Sequence, residues 1–91
     1  MLATVPVALA QQVALYPNPA RTQVTVELPL GLRRQPATAT LLDALGRVVH
    51  QQLLPPTLAT HPLPLAELAT GVYSLRLTPD QGTVVKKLAV E

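Results

Sequence analysis

A strict alternation of apolar and polar side chains runs through Thr22-Gln23-Val24-Thr25-Val26-Glu27-Leu28. Successive side chains of a β-strand point to opposite faces, so this order places Val24, Val26 and Leu28 on one face and polar groups on the other. One buried and one solvated face are typical of an antiparallel sheet. We therefore predict a strand over 22–28.

The same alternation, bounded by proline and glycine, recurs along the chain and predicts further strands. They lie at 12–16, 37–43, 47–54, 71–78 and 83–90. The proline-rich stretch 58–68 forms an edge strand at best, because Pro62 and Pro64 have no N–H to donate to a sheet. About seven short strands at this spacing favour an all-β fold, an immunoglobulin-like antiparallel β-sandwich.

The connections carry their own signals. Asp43-Ala44-Leu45-Gly46 fits a type I turn that closes a hairpin, because Asp accepts backbone N–H groups and Gly tolerates positive φ. We expect 29–36 to be a solvated connection, 66–70 to make one helical turn, and 79–82 to form a second hairpin turn. In the last strand the alternation points Lys86 inward, which requires either a bulge near Val85 or a Lys86 side chain that reaches out to solvent.

Composition excludes several classes of protein. The chain has 91 residues, of which 48% are hydrophobic, with two Tyr and no Phe or Trp, so we expect one core closed by aliphatic packing. The net charge is +2, and the cations are too scattered for a nucleic-acid surface. They are Arg21, Arg33, Arg34, Arg47, Arg76, Lys86 and Lys87. No apolar stretch approaches the roughly 18 to 20 residues of a membrane span.

The inventory of reactive side chains predicts no catalysis. Ser74 is predicted to face solvent from the middle of a strand, without the base that a nucleophilic serine needs. His50 and His61 are interpreted as surface histidines, because neither has an acidic or thiol neighbour in sequence that would complete a metal site, and the chain has no cysteine. We expect no enzyme activity, no cofactor and no bound metal.

Four pieces occur in an order and spacing that resemble a known family. They are Leu15-Tyr16-Pro17-Asn18-Pro19, Asp43-Ala44-Leu45-Gly46-Arg47-Val48-Val49, Leu68-Ala69-Thr70-Gly71-Val72-Tyr73-Ser74-Leu75-Arg76-Leu77, and Gly82 followed by Lys86-Lys87-Leu88-Ala89-Val90. Together they resemble the type A C-terminal sorting domain of the type IX secretion system, the Por secretion system sorting family. The resemblance covers residues 15–91.

The resemblance implies a route in a Gram-negative bacterium that has a type IX system. A cargo protein crosses the inner membrane, folds in the periplasm, and is directed by this domain through the outer-membrane translocon to the cell surface or the outside. A surface sortase then cleaves the domain off. Residues 1–13 are expected to be a linker that contains the cleavage region, 14–91 the sorting domain, and the whole chain an excised or fragmentary part of a longer protein.

The resemblance also implies which residues matter. Those expected to meet the translocon are Gly46, Arg47, Gly71, Val72, Tyr73, Lys86 and Lys87, and those expected to shape the domain are Tyr16, Pro17, Asn18, Pro19 and Asp43. Lys86 and Lys87 serve equally well as charges that keep an edge strand from aggregating. For Gly46 and Gly71 a backbone requirement is the favoured explanation.

Two other functions stay open from the sequence. One is an accessory immunoglobulin-like module that binds carbohydrate or protein on the finished cargo. The other is weak self-association through an edge strand, for which the segment 58–65 is the expected unprotected edge.

Overall fold

The computed structural model describes residues 11–78 and 83–91. This part of the chain contains seven strands. They are β1 (Ala14–Tyr16), β2 (Gln23–Glu27), β3 (Ala37–Leu42), β4 (Val48–Leu54), β5 (Thr60–Pro64), β6 (Gly71–Thr78) and β7 (Val84–Val90). Two antiparallel sheets form, a three-stranded sheet in the order β1-β2-β5 and a four-stranded sheet in the order β4-β3-β6-β7. The predicted all-β sandwich is confirmed.

The alternation that predicted β2 is realised in its burial. Val24 and Val26 are fully buried, whereas Gln23 and Glu27 are exposed on the opposite face. The same pattern holds in β6, where Tyr73, Leu75 and Leu77 face the other sheet.

The apolar residues of the core between the sheets are aliphatic apart from Tyr73. These buried residues are Val13, Ala20, Val24, Val26, Leu28, Leu32, Ala37, Ala39, Leu41, Leu54, Leu63, Leu65, Tyr73, Leu75, Leu77, Val84, Leu88 and Val90. Because both sheets contribute, neither can keep its apolar face dry without the other.

The strand β5 lies at the edge of the three-stranded sheet, as its prolines predicted. The amide of Leu65 donates to the carbonyl of Thr22 on the β2 side, so alternation turns the nitrogens of Pro62 and Pro64 to the free edge. Pro62 and Pro64 therefore offer no donor along this edge, so another strand cannot form a complete ladder on it. The expectation that 58–65 is the unprotected edge is therefore wrong.

Burial of His61 corrects a second expectation. Since the prolines of β5 face outward, His61 shares the inward face with Leu63 and is 3% exposed. Its Nε2 donates to the carbonyl of Leu58 at 3.0 Å, which satisfies the ring in the interior. His50 is half-buried rather than on the open surface.

Two connections differ from their predictions. The segment 29–36 contains a 3-10 helix, Leu30–Leu32, and Leu32 is buried in the core, so this connection closes part of the sandwich. No helix forms at 66–70, where the amide of Leu68 donates to Leu65 in a turn. The predicted turn at 79–82 lies outside the described residues.

The register of the last strand shows that Lys86 faces inward without a bulge. β7 pairs with β6 in one unbroken register from Gly71–Val90 to Leu77–Val84, so no bulge is present. Lys86 lies on the same face as Val84 and Leu88 and is half-buried, the arrangement in which a long aliphatic stem packs and the charged end reaches solvent.

Candidate functional site

Residues from all four pieces of the sequence pattern meet at one end of the four-stranded sheet, although Gly82 lies outside the described residues and Lys86 lies farther along β7. β3 and β7 end there, and β4 and β6 begin there, because neighbouring strands are antiparallel. Register places Val72 beside Ala89 and Gly71 beside Val90. We call this region the motif end, and it comprises residues 18–20, 43–47, 71–73 and 87–91.

The hairpin between β3 and β4 is held by one carboxylate. Asp43 Oδ1 accepts the amides of Leu45 and Arg47, each at 2.9 Å, and the amide of Gly46 donates to the Asp43 carbonyl at 3.0 Å. Gly46 has φ of +82°, which favours glycine. The predicted turn and the backbone requirement at Gly46 are confirmed.

Arg47 extends from this turn into solvent. Its Nε donates to Asp43 Oδ2 at 2.9 Å, while its side chain remains 73% exposed. The backbone amide of Arg47 is the largest cause that lowers the pKa of Asp43, and the guanidinium and the Leu45 amide act in the same direction. A guanidinium has five N–H donors, and the contact with Asp43 uses the one at Nε. Arg47 can therefore donate hydrogen bonds to a second acceptor.

A shallow groove of about 250 Å³ separates the hairpin from the start of β6. Asp43, Leu45 and Arg47 line one wall, and Gly71, Val72 and Tyr73 line the other. Leu45 is 78% exposed and Val72 is 58% exposed, so apolar side chains flank the groove in solvent. Leu45 was not among the residues singled out from the sequence, although a large apolar residue left in solvent at a turn is the kind of feature that marks an interaction surface.

Tyr73 is a structural residue of this groove. Its ring is buried, with 7% of the residue exposed, and its hydroxyl donates to the Ala69 carbonyl at 2.6 Å. A tyrosine that starts a strand and bonds backbone a few residues upstream is the tyrosine corner of immunoglobulin-like sandwiches. The bond fixes the chain where it enters β6.

Gly71 has no backbone reason to be glycine. Its φ lies outside the left-handed region, and a Cβ there would meet only Tyr73 Cε1, at 3.9 Å, an ordinary contact distance. The interpretation that the backbone requires glycine is therefore wrong at Gly71.

The Tyr16-Pro17-Asn18-Pro19 motif covers the outer edge of β7. Asn18 Oδ1 accepts the amide of Ala89 and Asn18 Nδ2 donates to the carbonyl of Lys87, both at 3.1 Å. Ala20 continues the pairing, since its amide donates to Ala89 at 2.8 Å and its carbonyl accepts the amide of Glu91 at 2.7 Å. The chain thus leaves the three-stranded sheet and protects the other one.

The remaining predicted residues are more dispersed. Tyr16 is 44% exposed at the end of β1, and partial desolvation together with the Glu27 carboxylate raises the pKa of its phenol. Lys87 is exposed beside Ser74 on the outer face of the sheet, whereas Lys86 lies on the inner face beside Leu75. The two lysines therefore do not form a single cationic patch.

Within residues 11–78 and 83–91, no three His, Asp or Glu side chains lie close enough together to hold a metal ion. The same part of the chain contains no helix of the length and apolar character needed to cross a membrane.

Comparison with known proteins identifies the family. The family model of the secretion system C-terminal sorting domain matches residues 14–91, while a search of the curated proteins found no match. Domains of this family are sorting signals that act with the type IX secretion machinery and direct proteins to the cell surface or the outside. The comparison gives no support to an adhesive or carbohydrate-binding module. The chain belongs to the secretion system C-terminal sorting domain family and is a C-terminal sorting signal for type IX secretion.

Proposed function

We propose that the translocon of the type IX system binds this domain at the motif end. The observation that carries the proposal is the convergence of residues from the four sequence pieces, up to 71 residues apart along the chain, at one end of one sheet. Packing requirements alone would distribute such residues over the whole sandwich. A surface that another protein must recognise explains their concentration at one end.

The proposed contact combines apolar and cationic side chains. Leu45 and Val72 flank the groove in solvent, and Arg47 lies at its rim with most of its side chain free. Lys87 adds an exposed cation on the outer face. The matching translocon surface is an apolar ridge bordered by carboxylates, because partial burial strengthens the pairing of Arg with acidic groups.

Other predicted residues act by positioning this surface. Asp43 and Gly46 fix the hairpin that presents Leu45 and Arg47, and Tyr73 fixes the start of β6 that presents Val72. Asn18 holds the end of β7 in place. The backbone conformation of Gly71 does not require glycine. Because glycine has no side chain, it leaves room for the partner in the groove.

The proposal continues through the rest of the route. Cargo and domain fold in the periplasm, the translocon carries them across the outer membrane, and a sortase then removes the domain, which is not itself an enzyme. The scissile bond lies within residues 1–13. Val13 is 4% exposed and lies in the core, whereas Gln11 and Gln12 are exposed, so the chain becomes accessible to a protease immediately upstream of Val13.

A fusion experiment tests recognition. Residues 1–91 are joined to the C-terminus of a periplasmic reporter in a host that carries the type IX system. We expect the reporter at the surface or in the medium, and in the periplasm when the translocon is deleted. Periplasmic retention of a folded fusion in the intact host contradicts the sorting role in this host.

Matched variants separate recognition from folding. The triple variant Leu45→Thr, Arg47→Gln, Val72→Thr alters the motif end, and Leu53→Thr, Arg34→Gln, Val85→Thr makes the same changes elsewhere. Leu53 and Val85 are 61% and 60% exposed, so the control removes similar apolar surface. We expect secretion to be lost only in the first variant, while cooperative thermal unfolding shows that both variants are folded. Equal secretion by both variants overturns the assignment of the motif end.

Cleavage is tested on the secreted fusion. The new N-terminus of the released domain, determined by mass spectrometry, is expected at or before residue 13. Deletion of the sortase should leave the fusion at full length. A cut within the described sandwich would contradict this part of the proposal.

A further inference from the structure

The four edges of the two sheets differ in how far they are protected. The β7 edge is covered by Asn18 and Ala20, and the β5 edge lacks donors at Pro62 and Pro64. The β1 edge is only three residues long. β4 (Val48–Leu54) has no proline, pairs regularly with β3 over 50–54, and has no segment of the described chain paired along its outer side.

The open backbone groups of β4 follow from alternation across the sheet. Ala89 directs its amide and carbonyl away from β6, and the registers of β6 with β7, β3 with β6, and β3 with β4 from Ala37–Leu54 to Leu41–His50 carry this alternation to β4. The register shifts between Leu41 and Leu42, so Val49 lies in a bulge and the regular part of β4 is 50–54. His50, Gln52 and Leu54 therefore bond to β3, whereas Gln51 and Leu53 direct their amides and carbonyls to the free edge.

The sequence of this edge carries no charged side chain that would repel another strand. Between Arg47 and Glu67 the chain has no Lys, Arg, Asp or Glu, although edge strands are commonly blunted by such charges. Val48 and Leu53 are 56% and 61% exposed, so the edge also offers apolar side chains.

The pattern of β4 is self-complementary. Val48-Val49-His50-Gln51-Gln52-Leu53-Leu54 places two apolar residues at each end and three polar residues between them, so reversing the strand leaves the polarity pattern unchanged. An antiparallel copy centred on Gln51 sets His50 opposite Gln52 on either side of the axis, and the bulge at Val49 lies beyond these central pairs. This register also brings the outward backbone groups of Gln51 face to face with their own copies, so the two residues exchange both hydrogen bonds.

We propose that two copies of this domain pair antiparallel along β4, around a twofold axis at Gln51. The two four-stranded sheets then form one sheet of eight strands. Each β4 begins at the motif end of its own copy, so the antiparallel arrangement sets the two motif ends at opposite sides of the dimer and leaves both open. This inference is independent of the proposed translocon contact.

Mass measured against concentration tests the pairing. The 91-residue chain should pass from monomer to dimer as its concentration rises in sedimentation equilibrium. Gln51→Lys places two like charges directly opposite each other and should weaken the dimer roughly fivefold to tenfold. Gln23→Lys is the matched control, because Gln23 is an exposed strand glutamine on the other sheet, and it should leave the dimer unchanged. A monomer at every concentration, or a dimer indifferent to Gln51→Lys, overturns the proposal.

Charge pairing tests the register. Gln51→Lys and Gln51→Glu should each dimerise poorly alone and form a mixed dimer when combined, since opposite charges then face each other. Because the chain has no cysteine, Gln51→Cys provides an independent readout. Hydrogen-bonded antiparallel pairs have Cα atoms about 5.5 Å apart, within disulfide reach, so mild oxidation should link two copies. Failure of both readouts in a chain that still dimerises excludes this register.

Discussion

The amide of Ala89 donates to Oδ1 of Asn18 at 3.1 Å, and the same side chain donates from Nδ2 to the neighbouring Lys87 carbonyl. A single asparagine thus pairs with β7 through one donor and one acceptor, as the backbone of another strand would. This arrangement explains why the asparagine lies between two prolines, which end β1 and turn the chain towards the other sheet.

Asn18→Ala should loosen the end of β7. The variant loses both side-chain bonds, and each is worth about 1 kcal/mol, so we expect a loss of roughly 1 to 2 kcal/mol in the free energy of unfolding. Hydrogen exchange should accelerate at the Ala89 amide before it does in the middle of β7. Gln35→Ala, in an exposed connection, is the control and should change stability by less than about 0.5 kcal/mol. An unchanged Ala89 amide would contradict the role of Asn18.

Tyr73→Phe isolates the hydroxyl of the tyrosine corner. The ring stays in the core while the 2.6 Å bond to Ala69 is lost, so we expect a cost of about 0.5 to 1.5 kcal/mol in denaturant unfolding. Tyr16→Phe is the control, because Tyr16 is 44% exposed and lies at the surface. Equal effects of the two substitutions would show that the Ala69 bond contributes nothing.

The two glycines of the motif end should respond in opposite ways to alanine. Gly46→Ala forces a Cβ into a backbone with φ of +82° and should destabilise the domain by about 1 to 2 kcal/mol. Gly71→Ala meets no such strain and restricts the unfolded chain, so stability should stay unchanged or rise by up to about 1 kcal/mol. The measurement is thermal unfolding of both variants. A severe loss in Gly71→Ala would mean that its backbone is constrained after all.

The Asp43 carboxylate should make stability depend on pH. Its folded pKa is lowered, chiefly by the Arg47 amide, so ionisation favours the folded state. The contribution is fully present above the unfolded pKa of about 3.9 and is lost as the pH falls through the lower folded pKa. Asp43→Asn keeps the Oδ1 acceptor and removes the charge. Its Tm should lie below that of the original chain at pH 7, and the difference should shrink below about pH 4. A difference that is constant from pH 7 to pH 2 would contradict this assignment.

Alternation and turn chemistry predicted most of the strands because both are local. The side chains of β2 and β6 report their own faces, and Asp43 with Gly46 specifies a turn within five residues. The resemblance to the family is local as well, because the predicted site residues lie in four short pieces of sequence. None of these signals states which strands are neighbours.

What the sequence determined by itself is therefore the class of fold, the boundaries of the strands within a few residues, and the family. The tertiary structure decided the rest, because it depends on pairs distant along the chain. Packing of the two sheets buried His61, which was expected at the surface, and Leu32, which lies in a connection expected to be solvated. Pairing of β7 with Asn18, and the outer side of β4 that no other described segment covers, emerged only when strand order fixed which edges were covered.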